Sequence, residues 1–307
     1  MQEKENILRI GFSVANRFEI QFPIDNNSFA QSYRAKDTSG KIVRLDLINL
    51  ASLSSSYFDE NGKLLHINLI KQINHPNIPN LLCEGETIIE KQKFAFLAFE
   101  FVSGETLTEK LKREGTLSPY TAIPIIIELL EAIAYLHNFQ PEHNNQPVPI
   151  IHNGINPNTI ILDYSSKRDK PILTGFEQAR LIYQSRQSIS VKYLSIFHSA
   201  PELLNGIFIP QSDLYSIGAV LYHLLFGVPP FYNENILNHP INKQKELLET
   251  ARNKPLNFAF SDDNLIDDQI KNTLKKALSI KIEDRFQSAE EFSKALKREM
   301  LLEYHHQ

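Results

Sequence analysis

Histidine and cysteine often bind metals or act as nucleophiles, and this chain of 307 residues has ten histidines and one cysteine. His137, His143 and His152 are close enough in sequence to suggest a metal site. The insert that separates the first from the last, residues 138–149, is polar and contains prolines, which is typical of a surface loop. We therefore interpret these histidines as structural.

The single cysteine, Cys83, cannot form an internal disulfide. A reactive thiol would need an electropositive pocket, which the sequence does not show, so we interpret Cys83 as a buried strand residue. The chain opens with MQEKENILR rather than with a charged start followed by an apolar stretch. Together these features favour a cytoplasmic protein.

Charge and hydropathy exclude two classes of partner. The chain has 32 basic and 36 acidic residues, a net charge of −4, and neither sign forms a long block. We therefore expect no nucleic-acid partner. The most apolar run, from Ile123 to Leu136, is interrupted by Pro124 and Glu128 and is too short to span a bilayer, so we expect no membrane partner either.

The elements that must position any site differ between the two halves of the chain. Residues 18–101 carry short β-type runs with polar turns between them, interrupted by one predicted helix. The predicted strands are Phe18–Phe22, Ser32–Ala35, Ile42–Leu47 and Phe94–Phe101, and the helix is Asn61–Gln72. Beyond residue 107 the apolar spacing becomes helical. Helix starts are predicted at Ser118-Pro119, at Asp213 and at the capping box from Ser288 to Glu291. The sequence predicts an α+β fold with a small β-rich part and a larger helical part.

The segment from Ile151 to Leu162 resembles the catalytic loop of protein kinases, whose pattern is HRDLKPxNILL. Five further segments follow in the order of that family, and together the matches span nearly the whole chain. They are Pro171–Glu177, Ala200–Glu202, Ser212–Gly218, Gly227–Phe231 and Asp284–Ser288. The resemblance is to eukaryotic-type serine/threonine kinases, and the last segment is most similar to bacterial ones. It implies a bilobal fold with an extension at 1–17, an N-lobe at 18–101, a C-lobe at 102–300 and a tail at 301–307.

Kinases position the nucleotide's phosphates, neutralise them with metal ions and orient the acceptor hydroxyl. The resemblance assigns positions to each task, and the residues found there differ from those that the chemistry requires. The three loop glycines are replaced by Asp25, Asn27 and Ala30, the phosphate lysine by Asp46 and its glutamate partner by His66. The metal ligands are replaced by Gly175 and Thr159, the acceptor-orienting carboxylate by Gly154 and the loop lysine by Asn156.

The adenine site implied by the resemblance is also altered, because Ser32 and Arg44 stand where the family has small apolar residues. Arg44 would fill the adenine slot unless its side chain extends outward to water. Phe99, at the start of the implied hinge, and Ile161 would line the same degenerate cleft. We expect neither ATP nor magnesium to bind.

Scaffold positions of the family are retained. The resemblance implies that His152 and Phe176 stack in an internal spine with Ile70, that Asp213 braces the catalytic-loop backbone, and that Glu202 pairs with Arg285. Because scaffold positions are kept while chemical positions are replaced, the sequence predicts a pseudokinase that acts as a protein-interaction or allosteric regulatory module in signalling. Its expected partner is a protein, an active kinase or the substrate of one.

Two alternatives remain open. The first is an atypical active serine/threonine kinase that uses displaced residues, for which Glu177 and Lys36 are candidates; Lys41 is predicted to point to the opposite strand face. The second is an ATP-binding switch without turnover. The implied activation segment, 175–202, also contains possible phosphate acceptors, although we interpret it as a solvated loop. These acceptors are Ser185, Ser188, Ser190, Tyr193 and Ser195. Asn153 stands where many kinases have the arginine that binds a phosphorylated loop, so ordering by that pair is not expected.

Overall fold

The computed structural model describes residues 8–26, 29–140, 147–165, 168–182, 195–259 and 266–303. The chain forms two compact units, Met1–Ser103 and Gly104–Gln307. The first is built on a β-sheet and the second mainly on helices, which confirms the predicted α+β class.

The first unit contains an antiparallel sheet of six strands in the order β1-β2-β3-β4-β6-β5. The strands are β1 (Ser13–Val14), β2 (Phe18–Asn26), β3 (Gln31–Asp37), β4 (Ile42–Asn49), β5 (Leu81–Ile89) and β6 (Gln92–Glu100), and the helix α1 is Leu65–Ile70. Alternating side chains of β4, among them Val43, Leu45 and Leu47, are buried in the hydrophobic core. Residues before β2, treated above as an extension, belong to this unit, since β1 pairs with β2 and both Leu8 and Val14 lie in the core.

Two elements of the first unit differ from the sequence prediction. Strand β5 was predicted only at Cys83, which lies on it but is partly rather than fully buried. The rest of the strand was missed because it lies at the sheet edge with alternate side chains only half buried and contains Gly85. The predicted helix Asn61–Gln72 begins only at Leu65. The Asp59 carboxylate accepts hydrogen bonds from the backbone N–H groups of Asn61 and Lys63, and this turn replaces the first helical turn.

The second unit contains eight described helices and two small sheets. The helices are α2 (Leu107–Glu114), α3 (Pro119–His137), α4 (Pro201–Leu204), α5 (Pro210–Phe226), α6 (Glu234–Leu237), α7 (Ile241–Arg252), α8 (Asp268–Ala277) and α9 (Ala289–Glu303). One sheet has the order β10-β9-β7, with β7 Gly104–Thr106, β9 Ile160–Asp163 and β10 Lys170–Leu173. The other pairs β8 (Ile150–Ile151) with β11 (Arg180–Leu181). Helix α5 begins three residues before the predicted Asp213, because the fixed backbone angle of Pro210 suits a first helical position.

Helices α3 and α5 form the centre of the second unit. Residues of α5 are buried on nearly every side, and α3 packs against both α5 and α9. Of the described helices, α3 alone is long and apolar enough to cross a membrane, but 61% of its apolar stretch is buried within the protein. The buried core helix of a globular protein can be equally long and apolar, so this composition does not by itself indicate a membrane span. At the contact of α5 with α8, a side chain on Gly218 would lie 2.7 Å from the Ala277 Cβ, so the close approach requires glycine there.

Candidate functional site

The sheet face expected to hold adenine and phosphate carries a closed polar cluster. Strand register places Ser32 opposite Asp46, and Arg44 precedes Asp46 by two residues on the same face. The Arg44 Nε donates to the Asp46 carboxylate at 2.8 Å, and its Nη2 donates to the Ser32 hydroxyl at 3.0 Å. Asp46 therefore does not present an unpaired negative charge, and Arg44 does not extend outward, since its side chain is only 15% exposed. Sequence reasoning missed this pair, although opposite charges two residues apart on one strand could have indicated it.

Beside this cluster, a second arginine is held by aromatic rings. Arg34 lies opposite Arg44 in the strand register, where two like charges repel each other. Its guanidinium stacks on Phe22 and on Phe101, with centroid distances of 5.3 and 5.5 Å, and it donates to Gln21. Phe99, also opposite Arg44 on the neighbouring strand β6, is buried. The displaced-lysine candidate Lys36 lies on β3, and Lys41 lies in the turn before β4 rather than on the strand as predicted.

The segment aligned with the glycine-rich loop is anchored to the first unit by Phe29. The Phe29 ring contacts His66 edge-on at 5.4 Å and Tyr57 at 5.3 Å, and both Phe29 and Ala30 are buried. Asp25 pairs with Ser32 near the end of β2, whereas Asn27 lies outside the described residues.

His66, at the position of the helix glutamate, is buried among apolar groups of α1. It is 3% exposed, and neither ring nitrogen has a hydrogen-bond partner. Burial lowers the pKa of His66 to about 4, so the ring is neutral at physiological pH. A neutral, enclosed imidazole cannot anchor a cation as a glutamate would.

In the second unit, the loop after β8 is closed by its own polar side chains. The Asn156 amide donates to the Gly154 carbonyl at 2.9 Å, and the Thr159 hydroxyl approaches the same carbonyl at 3.0 Å. The Thr159 hydroxyl also accepts from the Asn156 N–H at 3.1 Å. Asn156, at the position of the loop lysine, and Thr159, at a metal-ligand position, therefore both stabilise the backbone of a turn.

Gly175 and Thr159, at the two metal-ligand positions, occupy adjoining space. Gly175 has φ +83°, and a Cβ there would lie 2.6 Å from the Thr159 Cγ2. The same Cβ position is 3.6 Å from Oε2 of Glu177. By contrast, a Cβ on Gly154 would meet its nearest neighbour, the Gly175 carbonyl oxygen, at 3.3 Å. Neither ligand position supplies a carboxylate, so these two residues do not fit a magnesium ion. The described part of the chain also contains no group of three or more His, Cys, Asp and Glu residues that could hold a metal.

Asp213 on α5 braces the same loop through two hydrogen bonds and accepts a third from His137 at the end of α3. Its carboxylate accepts from the backbone N–H groups of His152 and Asn153 at 2.8 and 2.9 Å, and from the His137 Nε2 at 3.0 Å. This hydrogen bond gives His137 a role in the fold that was not foreseen, and His143 lies outside the described residues. Asn153 adopts φ +63°, which Asn tolerates better than most residues, and its amide donates to the Gln178 carbonyl at 3.0 Å.

His152 and Phe176 lie in edge-to-face contact with ring centroids 4.7 Å apart. His152 is fully buried and donates from Nε2 to the Thr174 carbonyl at 3.0 Å. Burial lowers the pKa of His152, partly offset by the charge of Asp213. Ile161 is half buried on β9, between β7 and β10, and Ile70 is buried in α1 of the first unit.

Glu202 and Arg285 form a buried bidentate ion pair. Arg285 donates from Nη1 and Nη2 to the two carboxylate oxygens at 2.7 and 2.9 Å, and the Ser212 hydroxyl donates to the same carboxylate at 2.7 Å. Burial alone would raise the pKa of Glu202, but the hydrogen bonds and charge of Arg285 outweigh it and hold that pKa below its ordinary value. Arg285 also donates to backbone carbonyls, among them that of Ser279 at 2.7 Å.

Of the five phosphate acceptors considered above, Ser195 lies among the described residues. Ser185, Ser188, Ser190 and Tyr193 lie outside the described residues. The Ser195 hydroxyl is hydrogen-bonded to the His198 Nδ1 at 2.9 Å, and the His198 Nε2 is 3.0 Å from the His223 Nδ1. Burial lowers the pKa of His198 to about 3 and that of His223 to about 4, so this chain of side chains is neutral.

Several known protein kinases are similar to this chain over most of its length. Myosin light chain kinase A of Dictyostelium discoideum is 25% identical over 221 residues, which cover 71% of this chain and 70% of that protein. Serine/threonine-protein kinase PrkC of Bacillus subtilis is 25% identical over 94% of this chain and 41% of its own length. Calcium-dependent protein kinase 3 of Plasmodium yoelii yoelii is 25% identical over 87% of this chain and 45% of its own length. The chain thus spans less than half the length of the last two relatives.

The model of one family, described as the protein kinase domain, matches residues 26–297. This range includes strands β3 to β6 of the first unit and the elements of the second unit as far as α9, whereas β1 and nearly all of β2 precede it. Because the match covers most of the sequence, the chain belongs to the protein kinase domain family.

Proposed function

We propose that this chain is a pseudokinase, a kinase-like domain without phosphoryl-transfer activity that acts in signalling by binding another protein. The observation that carries the proposal is the arrangement of Gly154, Asn156, Thr159 and Gly175. Phosphoryl transfer depends on metal ions and a carboxylate at these positions. Here two of the residues have no side chain and the polar groups of the other two are hydrogen-bonded within the turn.

The Arg44–Asp46–Ser32 cluster supports the same proposal from the first unit. Asp46 replaces the cation that would bind phosphate, and its charge is neutralised by Arg44. A nucleotide would have to break this partly buried pair before it could contact either side chain. We therefore propose that ATP and magnesium are not cofactors of this protein, and that a cytoplasmic partner, an active kinase or its substrate, recognises its surface.

Binding of the purified protein to ATP tests the first part. Melting temperature is measured with millimolar ATP and either magnesium or manganese, beside an active serine/threonine kinase as positive control. We expect no shift for this chain. A rise of several degrees, which corresponds to a few kcal/mol of linkage, would favour the nucleotide-switch alternative.

One observation favours the alternative of an active enzyme with displaced residues, namely the carboxylate of Glu177 beside Gly175. Glutamate is one methylene longer than aspartate, and the Glu177 Oε2 lies 3.6 Å from where the Cβ of a metal-ligand side chain at position 175 would be. Incorporation of labelled phosphate into the chain or a general acceptor protein separates the two cases. Background incorporation supports the pseudokinase, whereas incorporation that is lost on Glu177→Gln would identify Glu177 as a displaced ligand.

A further inference from the structure

Helices α3 and α9 of the second unit enclose a groove of about 370 Å³, named here the α3–α9 groove. Its least exposed lining residues are apolar or small, namely Leu130 and Ala134 from α3 and Ala289 and Ser293 from α9. A volume of this size lies within the range of about 300 to 1,000 Å³ typical of ligand-binding pockets. None of the residues discussed above as chemical positions lines it.

The charged side chains at the rim of the α3–α9 groove are not balanced. Glu131 pairs with Lys297 at 3.6 Å, and Glu290 accepts a hydrogen bond from Asn138. Lys294 and Arg298, one helical turn apart, have no hydrogen-bond or ion-pair partner among the side chains that the structure describes. Like charges at this spacing repel each other and weaken an isolated helix slightly. Because Asn138 is neutral, Glu290 keeps its charge, and the three cations of the rim, Lys294, Lys297 and Arg298, outnumber its two acids by one. The rim therefore has a small excess of positive charge next to an apolar floor.

We propose that the α3–α9 groove binds an amphipathic helix of a partner protein, with apolar side chains in the groove and acidic side chains against Lys294 and Arg298. A helix suits this site because the groove follows two packed helices, whose surfaces accept side chains at helical spacing. Negative charge is favoured because the cations of the rim outnumber its acids, and because Lys294 and Arg298 have no ion-pair partner among the described side chains. The proposal rests on the proposed role in protein binding, but its test is independent of the nucleotide and phosphate assays.

The probe is a fluorescein-labelled helical peptide with a leucine stripe flanked by glutamates, titrated with the whole chain and followed by fluorescence anisotropy. The matched peptide carries lysines in place of the glutamates. We expect saturable binding of the acidic peptide, with the basic peptide at least about tenfold weaker at physiological salt. No saturable binding, or equal affinity for both peptides, would overturn the proposal.

Variants of the chain then locate the bound peptide. Lys294→Glu with Arg298→Glu should reverse the preference so that the basic peptide binds more tightly, because these exposed side chains supply the selectivity. Lys271→Glu with Lys275→Glu, the same spacing on α8, is the matched control and should leave the preference unchanged. Ala134→Trp should fill the groove and abolish binding of both peptides, with melting temperature used to confirm folding.

If Ala134→Trp does not fold, the charge-reversal pair still decides, since it changes only exposed side chains. A preference for the acidic peptide that survives the reversal would reject the α3–α9 groove as its site. Sedimentation of the parent over a range of concentrations tests a second copy of the chain as occupant. Self-association lost on Ala134→Trp would overturn the proposal in favour of a homodimer.

Discussion

The turn from Gly154 to Thr159 and the Glu202–Arg285 pair lie in the same unit and satisfy their polar groups in different ways. The turn uses neutral side chains, an amide and a hydroxyl, that donate to nearby backbone carbonyls. The pair uses two full charges, both nearly excluded from water, with hydrogen bonds on both carboxylate oxygens. Replacing ligands by small neutral groups leaves a stable turn, whereas a buried ion pair tolerates no one-sided replacement.

Under the proposed pseudokinase function, this difference explains how the chain could lose chemical residues and retain scaffold residues. A metal or nucleotide site places unsatisfied carboxylates and cations near one another, which costs free energy until the ligand binds. Gly175 and Thr159 remove that cost. Arg285 cannot be replaced in the same way, because Glu202 would then lack its partner in a site that is almost fully buried. Selection for folding alone would preserve the Glu202–Arg285 pair and leave the residues of the turn from Gly154 to Thr159 free to change.

The largest expected effect comes from removing one side of the buried pair. Arg285→Ala leaves Glu202 buried without its cation and removes donors to several carbonyls, so the free energy of unfolding should fall by on the order of 3 kcal/mol or more. Urea denaturation measures the change. Lys276→Ala breaks an ion pair with Glu291 that is 42% exposed on both sides, and as control it should cost less than about 1 kcal/mol. Equal effects of the two substitutions would contradict the assignment of Arg285 to the scaffold.

The two glycines of the altered site should differ in their tolerance of alanine. Gly175→Ala combines a left-handed backbone with a 2.6 Å approach to the Thr159 methyl group, so we expect a loss of about 2 kcal/mol or more. Gly154→Ala meets nothing closer than 3.3 Å and should cost less than about 1 kcal/mol. Thermal and urea denaturation of both variants provides the comparison.

A double-mutant cycle sharpens this prediction. Thr159→Ser removes the Cγ2 methyl group but keeps the hydroxyl that closes the turn. In the Thr159→Ser background, Gly175→Ala should lower the free energy of unfolding by less than it does in the parent, because the close approach to the methyl group is absent. The part of the destabilisation that comes from the left-handed backbone should remain. Strict additivity of the two substitutions would mean that the Thr159 methyl group does not restrict position 175.

The comparison extends to the first unit through His66, whose effect depends on pH. Burial lowers its pKa from 6.5 to about 4, so the unfolded chain takes up the proton first as pH falls. The stability that neutral His66 contributes is therefore complete above about pH 6.5 and decreases as pH falls towards about 4. Relative to His66→Leu, the parent should lose about 1 to 1.5 kcal/mol between neutral pH and about pH 5.5.

Urea denaturation at several pH values measures this difference between parent and variant. Taking the difference removes the contributions of His198 and His223, whose pKa values are also lowered. His239→Gln, at an exposed position, is the control and should leave the pH dependence unchanged. A parent and a His66→Leu variant with parallel pH profiles would show that His66 is not buried as a neutral group.

Much of this arrangement was predictable because it depends on local signals. Strand alternation, the proline at the start of α3 and the order of the family segments correctly predicted the α+β class and the family. The Arg44–Asp46 pair and the bond from His137 to Asp213 were not predicted, because each depends on which rotamer or which distant residue satisfies a charge. The short α1 was missed because the Asp59 turn competes with the helix over the same residues.

Restoring single catalytic residues should have the smallest effect, namely no gain in turnover. Gly154→Asp returns a carboxylate to the acceptor position, with its Cβ in close contact, 3.3 Å, with the Gly175 carbonyl oxygen. Phosphoryl transfer also requires the phosphates to be held beside that carboxylate. Adding Gly175→Asp places a side chain against the Thr159 methyl group. Adding Asp46→Lys removes the carboxylate that pairs with Arg44 and puts a cation in its place. The missing functions act on one transition state, so their restoration is not additive.

We expect the triple variant to be less stable than the parent and to incorporate labelled phosphate only at background, with magnesium and with manganese. Turnover above background in the single variant Gly154→Asp would mean that the parent already binds ATP and metal, and it would favour the nucleotide-switch alternative over the pseudokinase without ATP.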